Sequence, residues 1–339
     1  MFKSFKAVFY NMSKVAIVDK YGAFLAVKDG RFQLRYKDEV LWDLAPVELE
    51  AIVFTVTGVS VSVAAIKLAN EFFIDLVFMD GNEPIARLIQ ARYSPPIKTW
   101  IKQVKAYKSS RVKLAQLFVE GKIHNQRIVL SDYAKRFRVA SKPNYELEAV
   151  VDQLIKLESQ VKEANSVNEV REVEAIAARH YWGQVAKLVP SNLGFTNRIP
   201  RSRKPVIGSI DPFNKALNIG YSALLREVWK ATFIAGLNPY LGFLHSQRAG
   251  KMALVFDLME EFRPIAVDRP LIALARNNTD VLLKLKDEDS DSIKEVWRTV
   301  IKHMKESKPS IQALILEQAR KLASHIRGDE EYKPFKARW

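Results

Sequence analysis

The stretch SPPIKTWIKQVKAY, Ser94 to Tyr107, is where the chain changes character. Its two prolines, Pro95 and Pro96, interrupt whatever precedes them. From Ile97 onward the apolar residues recur at the 3.6-residue period of a helix and keep it for most of the remaining chain. Upstream the period is two. KVAIVDKYGAFLAVKDGRFQLRYK alternates apolar and polar residues around Gly22 and an Asp29-Gly30 turn, which are hairpin signals. AIVFTVTGVSVSV is rich in β-branched residues, AAIKLANEFF has helical spacing, and IDLVFMDGNEPIARL reads as two strands about an Asp80-Gly81 turn. The expected fold class is α+β, with a small β-rich N-terminal domain over residues 1–93 and a larger all-α domain over residues 94–339.

Charge follows the same division. The 339 residues carry 53 Lys+Arg against 38 Asp+Glu, a net charge of +15. Residues 1–93 hold 11 of each sign, so the remaining 42 basic and 27 acidic residues put the whole excess on the helical part. Charge confined in this way is the footprint of a polyanion partner, against the plainer alternative of a solubility bias. Residues 94–142 hold 12 basic residues and only Glu120 and Asp132 as acids. Lys98, Lys102 and Lys105 recur at i, i+4, i+7 as one helical stripe, with Trp100 and Tyr107 between them. Arg198, Arg201, Arg203 and Lys204 crowd a proline-rich loop, and Arg248 lies in the loop SQRAGK. These eight are candidate DNA-phosphate contacts, the alternative being ordinary solvated faces.

The chain has no cysteine, which excludes disulfides and thiolate metal sites and fits a reducing cytoplasm. MFKSFKAVFYNMSK lacks the features of a signal peptide, and no run reaches the ~18 apolar residues of a membrane span. A cytoplasmic protein with no membrane partner is expected.

Chemistry is expected where carboxylates fall among apolar residues. GLNPYLGFLHSQRAGKMALVFDLMEEFRP places His245 in a loop, then Asp257, Glu260 and Glu261 on a short amphipathic helix that Pro264 should stop. A carboxylate on an apolar face is costly unless paired, and a divalent metal is one such partner. A capping-box pattern at Ser166–Glu169 opens a second helix, VNEVREVEAIAARHYWGQVAKLV, which carries Glu174 among small residues. Left to spacing alone, Glu174 reads as a surface glutamate paired with Arg171, and His245 as a structural histidine. FNKALNIGYSALLREVWKATFIAG reads as a tightly buried helix, LKDEDSDS as a solvated loop, and DEEYKPFKARW as a tail that frays or docks on a partner.

Taken in order, REVEAIAARHYW, DPFNKALNIGYSALL, AGLNPYLGFLH and FDLMEEFRP resemble the CRISPR-associated adaptation integrases, the spacer-acquisition nucleases of CRISPR systems. The resemblance spans nearly the whole chain. It implies metal ligands at Glu174, His245 and Glu260, with Asp257 as a further catalytic acid and Glu261 as a weaker candidate. It also implies Mg²⁺ or Mn²⁺ as cofactor. The implied reaction is attack of a DNA 3′-hydroxyl on a phosphodiester at the edge of a CRISPR repeat, with hydrolysis when water replaces the hydroxyl. Double-stranded and branched DNA, a homodimer formed through the N-terminal domain, and a small ferredoxin-like companion adaptation protein are the implied partners. Tyr181 and Tyr221 are then packing or phosphate contacts. The rival readings are a stand-alone metal nuclease for branched DNA and a non-catalytic DNA-binding architectural protein.

Overall fold

The computed structural model describes residues 15–338 apart from 50, 73, 81–82, 89–94, 200–209, 247–250 and 288. The chain forms two compact units, residues 1–98 and 99–339.

In the first unit, β1 (Val15–Val18), β5 (Ala51–Phe54), β7 (Asp75–Asp80) and β8 (Glu83–Leu88) form one sheet in the order β1-β5-β7-β8. The first three are parallel, and β8 returns antiparallel to β7. A second sheet runs β4-β3-β2-β6, from β2 (Phe24–Lys28), β3 (Arg31–Tyr36), β4 (Glu39–Leu44) and β6 (Ser60–Val61). Asp29 and Gly30, at φ of 52° and 71°, make the tight β2–β3 turn whose twist suits a hairpin. Gly22 does not make a second hairpin. The runs on either side of it enter different sheets, and at φ +80° it turns the chain between them. Both sheets and α1 (Val63–Glu71) bury one core, with Val18 and Phe54 from one sheet, Leu25, Phe32 and Leu34 from the other, and Leu68 from the helix. Gly81 of the expected Asp80-Gly81 turn lies outside the described residues.

The second unit is helical and is organised on α3 (Arg111–Val139), which packs on α4 (Tyr145–Gln160), α5 (Val167–Leu188) and α7 (Ala253–Arg263). Its inward residues include Leu114, Phe118, Val119, Ile123 and Leu130, all fully buried. The buried Gln116 amide donates to the carbonyls of Lys162 and Ala164, satisfying the turn between α4 and α5. Ser166 caps α5 by accepting from Glu169 N. α6 (Pro212–Ile234) runs close to its neighbours at Gly220, where an added Cβ would lie 2.6 Å from Val267 Cγ1.

Three expectations are corrected here. Pro264 does not stop α7. The helix widens into a π-helical turn, Pro264–Asp268, closed by Arg269 N donating to Pro264 O, and continues as α8 (Arg269–Asn277). A wider turn re-pairs the backbone that a proline ring would otherwise break. After α9 (Thr279–Leu283), LKDEDSDS is partly wound, because Asp289 accepts from Ser292 N and caps α10 (Ser290–Glu306). The segment after α11 (Ile311–Arg327) lies on this same unit, with Tyr332 and Ala337 buried. α2 (Pro95–Ser109) opens the helical series.

Candidate active site

Glu174 stands two turns into α5, and its Oε1 lies 2.5 Å from Lys122 Nζ of α3. The same ammonium lies 2.7 Å from Glu260 Oε2 of α7. Lys122 therefore bridges two carboxylates 86 residues apart in sequence. The expected Glu174–Arg171 pair does not form. Arg171 instead donates to the carbonyl of Leu244, in the loop that carries His245.

That loop is held from three sides. Gly236, at φ +73°, ends α6, where its N–H donates to Phe233 O. Gln103 of α2 donates to the carbonyls of Asn238 and Leu241 and accepts from Asn238 N. Arg111 donates to Phe243 O at 3.0 Å. Gly242 lets the loop lie on the start of α7, since a Cβ there would meet Ala253 C at 2.6 Å and Asp257 Oδ2 at 2.7 Å.

Asp257 fixes the histidine. It is fully buried and accepts from the backbone N–H groups of Phe243 and Leu244 on Oδ2 and of His245 on Oδ1. His245 Nδ1 lies 2.7 Å from Asp257 Oδ1. An ionised carboxylate is acceptor-only, so this contact places the proton on Nδ1 and leaves the Nε2 lone pair free. Nε2 is turned toward the centre, 3.9 Å from Glu260 Oε1. Asp257 thus orients His245 and has its acceptor capacity spent on the loop.

Glu260 is the electrostatic hub. Burial works to raise its pKa, but the charges of Arg263 and Lys122 outweigh it and bring it to about 2. Arg263 Nε lies 3.0 Å from Oε1. Burial likewise opposes the charge on Lys122, and Glu174 and Glu260 overcome it, so its pKa is raised. Oε2 of Glu260 is buried and in ion-pair contact with Lys122, yet lacks an aligned hydrogen-bond donor. Among the described residues, no three His, Asp or Glu side chains stand ready as a metal cage. Lys122 fills the gap where a cation between Glu174 and Glu260 would sit. Two carboxylates sharing one positive charge, with the His245 Nε2 3.9 Å from the other oxygen of Glu260, are donor chemistry that suits a divalent ion.

A second buried network adjoins the first. Asp268 accepts from Tyr181 at 3.0 Å and Tyr221 at 2.6 Å, and burial pushes its pKa up to about 6. Arg198 and Arg263 both pack on the Tyr221 ring, at 5.1 and 4.6 Å. Arg198 is turned inward by Asn214 Oδ1 and Asn218 Oδ1, and is no free surface cation. Both tyrosines therefore have structural partners. Lys98, Lys102 and Lys105 are exposed on α2, and Lys102 also donates to the last carbonyl of α11, that of Arg327. Arg201, Arg203, Lys204 and Arg248 lie outside the described residues.

Sequence reasoning missed Lys122, Arg263 and the role of Glu261. Arg263 had a signal, because i+3 from Glu260 puts it on the same helix face. Lys122 had only its membership in the basic run. Glu261 is buried on the far side of α7, accepting from Tyr332 at 2.6 Å, Phe335 N at 2.7 Å and Gln318 at 3.1 Å. Its burial raises its pKa to about 8.

Residues 16–293 match the family model described as CRISPR associated protein Cas1. The chain is 41% identical over 337 residues to a CRISPR-associated endonuclease Cas1 of Saccharolobus solfataricus, covering 98% of this chain and 88% of that protein. Among solved structures, it superposes on a casposase bound to integration product with a TM-score of 0.72 at 22% identity, covering 96% of this chain and 98% of that one. It also superposes on a chain of a partial Cas6-RT-Cas1–Cas2 complex, with a TM-score of 0.72 at 20% identity, covering 96% of this chain and 99% of that one. At these identities the two structures speak to the fold.

Proposed function

The chain belongs to the CRISPR-associated Cas1 family, and from that premise we propose that it is a metal-dependent DNA endonuclease and integrase of spacer acquisition. The observation that supports this reading is Lys122 bridging Glu174 and Glu260, with His245 Nε2 3.9 Å from the other Glu260 oxygen. In the reaction, the 3′-hydroxyl oxygen of an incoming DNA bonds to the phosphorus of a phosphodiester. The bond to the old 3′ oxygen breaks, and that oxygen leaves with a proton. Water as the nucleophile gives cleavage instead.

Glu174, Glu260 and His245 would hold Mg²⁺ or Mn²⁺, which when bound supplies Lewis-acid polarisation of the phosphate and stabilises the leaving oxygen. The protein's own part is preorganisation. Asp257 fixes the histidine tautomer. The low pKa of Glu260 keeps it ionised across the working range. Arg263, and Lys122 once displaced, set positive charge beside the phosphoryl oxygens. Exposed Lys98, Lys102 and Lys105 would meet the DNA backbone in a salt-dependent way. A homodimer through the first unit and a ferredoxin-like companion complete the assembly, in keeping with the named Cas1–Cas2 neighbour.

The test is half-site integration into a supercoiled repeat plasmid with Glu174→Gln. Metal-dependent strand joining should fall at least a thousandfold while duplex binding stays within twofold. Joining at the wild-type rate would refute the catalytic reading. Cleavage of branched DNA without joining would leave a stand-alone nuclease.

A further inference from the structure

The segment after α11 does more than cover the helical unit. We propose that residues 329–338 form a positioning strap that fixes Glu260 and Lys122 in the active site, an inference that rests on the function proposed above.

The argument is one of adjacent residues. On α7, Glu260 faces the site and the next residue, Glu261, faces the strap. On α3, Lys122 faces the site and the preceding Gly121 faces the strap. A Cβ at Gly121 would meet Pro334 Cβ and Glu261 Cγ at 3.0 Å each and Phe335 O at 3.3 Å, so glycine lets the strap press between the two helices. Asn125, one turn further along α3, donates to the carbonyls of Glu261 at 2.7 Å and Phe335 at 2.9 Å and accepts from Ala337 N at 2.9 Å. One side chain thereby ties α3, α7 and the strap together. Phe335 stacks on Phe262 of α7 with ring centroids 4.8 Å apart and planes 8° from parallel. Lys336 adds ion pairs with Glu120 of α3 at 2.7 Å and Glu158 of α4 at 2.6 Å.

The site needs this brace because its charges give no aligned hydrogen bond between α3 and α7, although Lys122 does donate one to Glu174 of α5. Glu260 Oε2 has no aligned donor. The spacing of α3 and α7, and with it the separation of Lys122 and Glu260, is set from behind by the strap. Displacing two active-site groups by about 1 Å is enough to cost a hundredfold in rate.

The test compares full-length Phe335→Ala with Phe335→Tyr, which keeps the ring stack, and with Tyr332→Phe, which removes one hydroxyl and little volume. Each is measured at least 15 °C below its own melting temperature. The readouts are kcat and KM for strand joining, Mn²⁺ affinity by electron paramagnetic resonance without DNA, and amide hydrogen exchange of residues 253–263. For Phe335→Ala we expect a tenfold or greater fall in kcat, KM within twofold, at least fivefold weaker Mn²⁺ binding and faster exchange along α7. Phe335→Tyr should restore all of these. Tyr332→Phe should give a smaller change in the same direction. Unchanged kcat, Mn²⁺ affinity and α7 exchange in folded Phe335→Ala would overturn the proposal and leave the segment as packing. If the wild type neither joins strands nor binds Mn²⁺, the function proposed above fails, and the strap is judged on exchange alone, where an unchanged α7 sinks it.

Discussion

Glu261 offers a test of the physics that needs no knowledge of the reaction. Burial pushes its pKa from 4.5 up to about 8, against the lowering effect of the donors Tyr332, Phe335 N and Gln318. Between those two values the unfolded chain has lost a proton that the folded protein keeps. Stability therefore falls as pH rises, by about 1.4 kcal/mol per pH unit for one such group. From pH 5.5 to 7.5 this single carboxyl should remove about 2–3 kcal/mol. Glu261→Gln cannot ionise and is spared that loss. Its amide nitrogen replaces one acceptor, which costs about 1 kcal/mol at every pH. The variant should thus be about as stable as the wild type at pH 5.5, where the wild type has already lost about 1.4 kcal/mol, and about 3 kcal/mol more stable at pH 7.5. Urea unfolding followed by circular dichroism at half-unit pH steps reads the difference, and subtracting the two curves removes every other titrating group. Parallel curves for the two proteins would show that Glu261 ionises freely in the fold, and the reasoning about its burial would be wrong.

Two further outcomes follow from the charge arrangement. Lys122→Met leaves the Glu174 and Glu260 carboxylates facing each other without their shared cation. It should cost about 3–5 kcal/mol at neutral pH, with Mn²⁺ raising the melting temperature more than it does in the wild type; equal shifts in scanning fluorimetry would count against a common cation position. Asp257→Asn strips acceptors from the His245 loop and weakens the bond that orients the imidazole, and should lower strand joining by about 10–100-fold; wild-type turnover in the folded variant would remove the orienting role.

Much of the fold was legible because local signals agreed with tertiary structure. The change of period at Ile97, the Asp29-Gly30 hairpin, the Ser166 cap and the crowded Gly220 helix each rest on neighbours within a few residues. What failed to show were contacts between distant segments. Gly22 carries a hairpin signal, but β1 finds a parallel partner in β5 instead, and no local pattern announces a parallel pairing. Pro264 reads as a stop because the widened turn that absorbs it depends on packing against α6. Around the site, only the family resemblance singled out Glu174, His245 and Glu260, since spacing alone left Glu174 a surface glutamate and His245 a structural histidine. Nothing in the order of residues said that Lys122 would lie between two of them, since one basic residue in a run of 12 looks like its neighbours. Glu260 and Glu261 are chemically alike and adjacent; in the structure one faces Lys122 and the other faces the strap.

The bridge from Lys122 to Glu260 spans 138 residues. Contacts of such separation close late, after the entropy of a long loop has been overcome. A ribosome-bound chain emerging as far as residue 240 would already display the basic α2, yet would possess neither His245 nor any of the three acids of α7. Synthesis order thus completes the basic α2 well before any residue of the α7 side of the site.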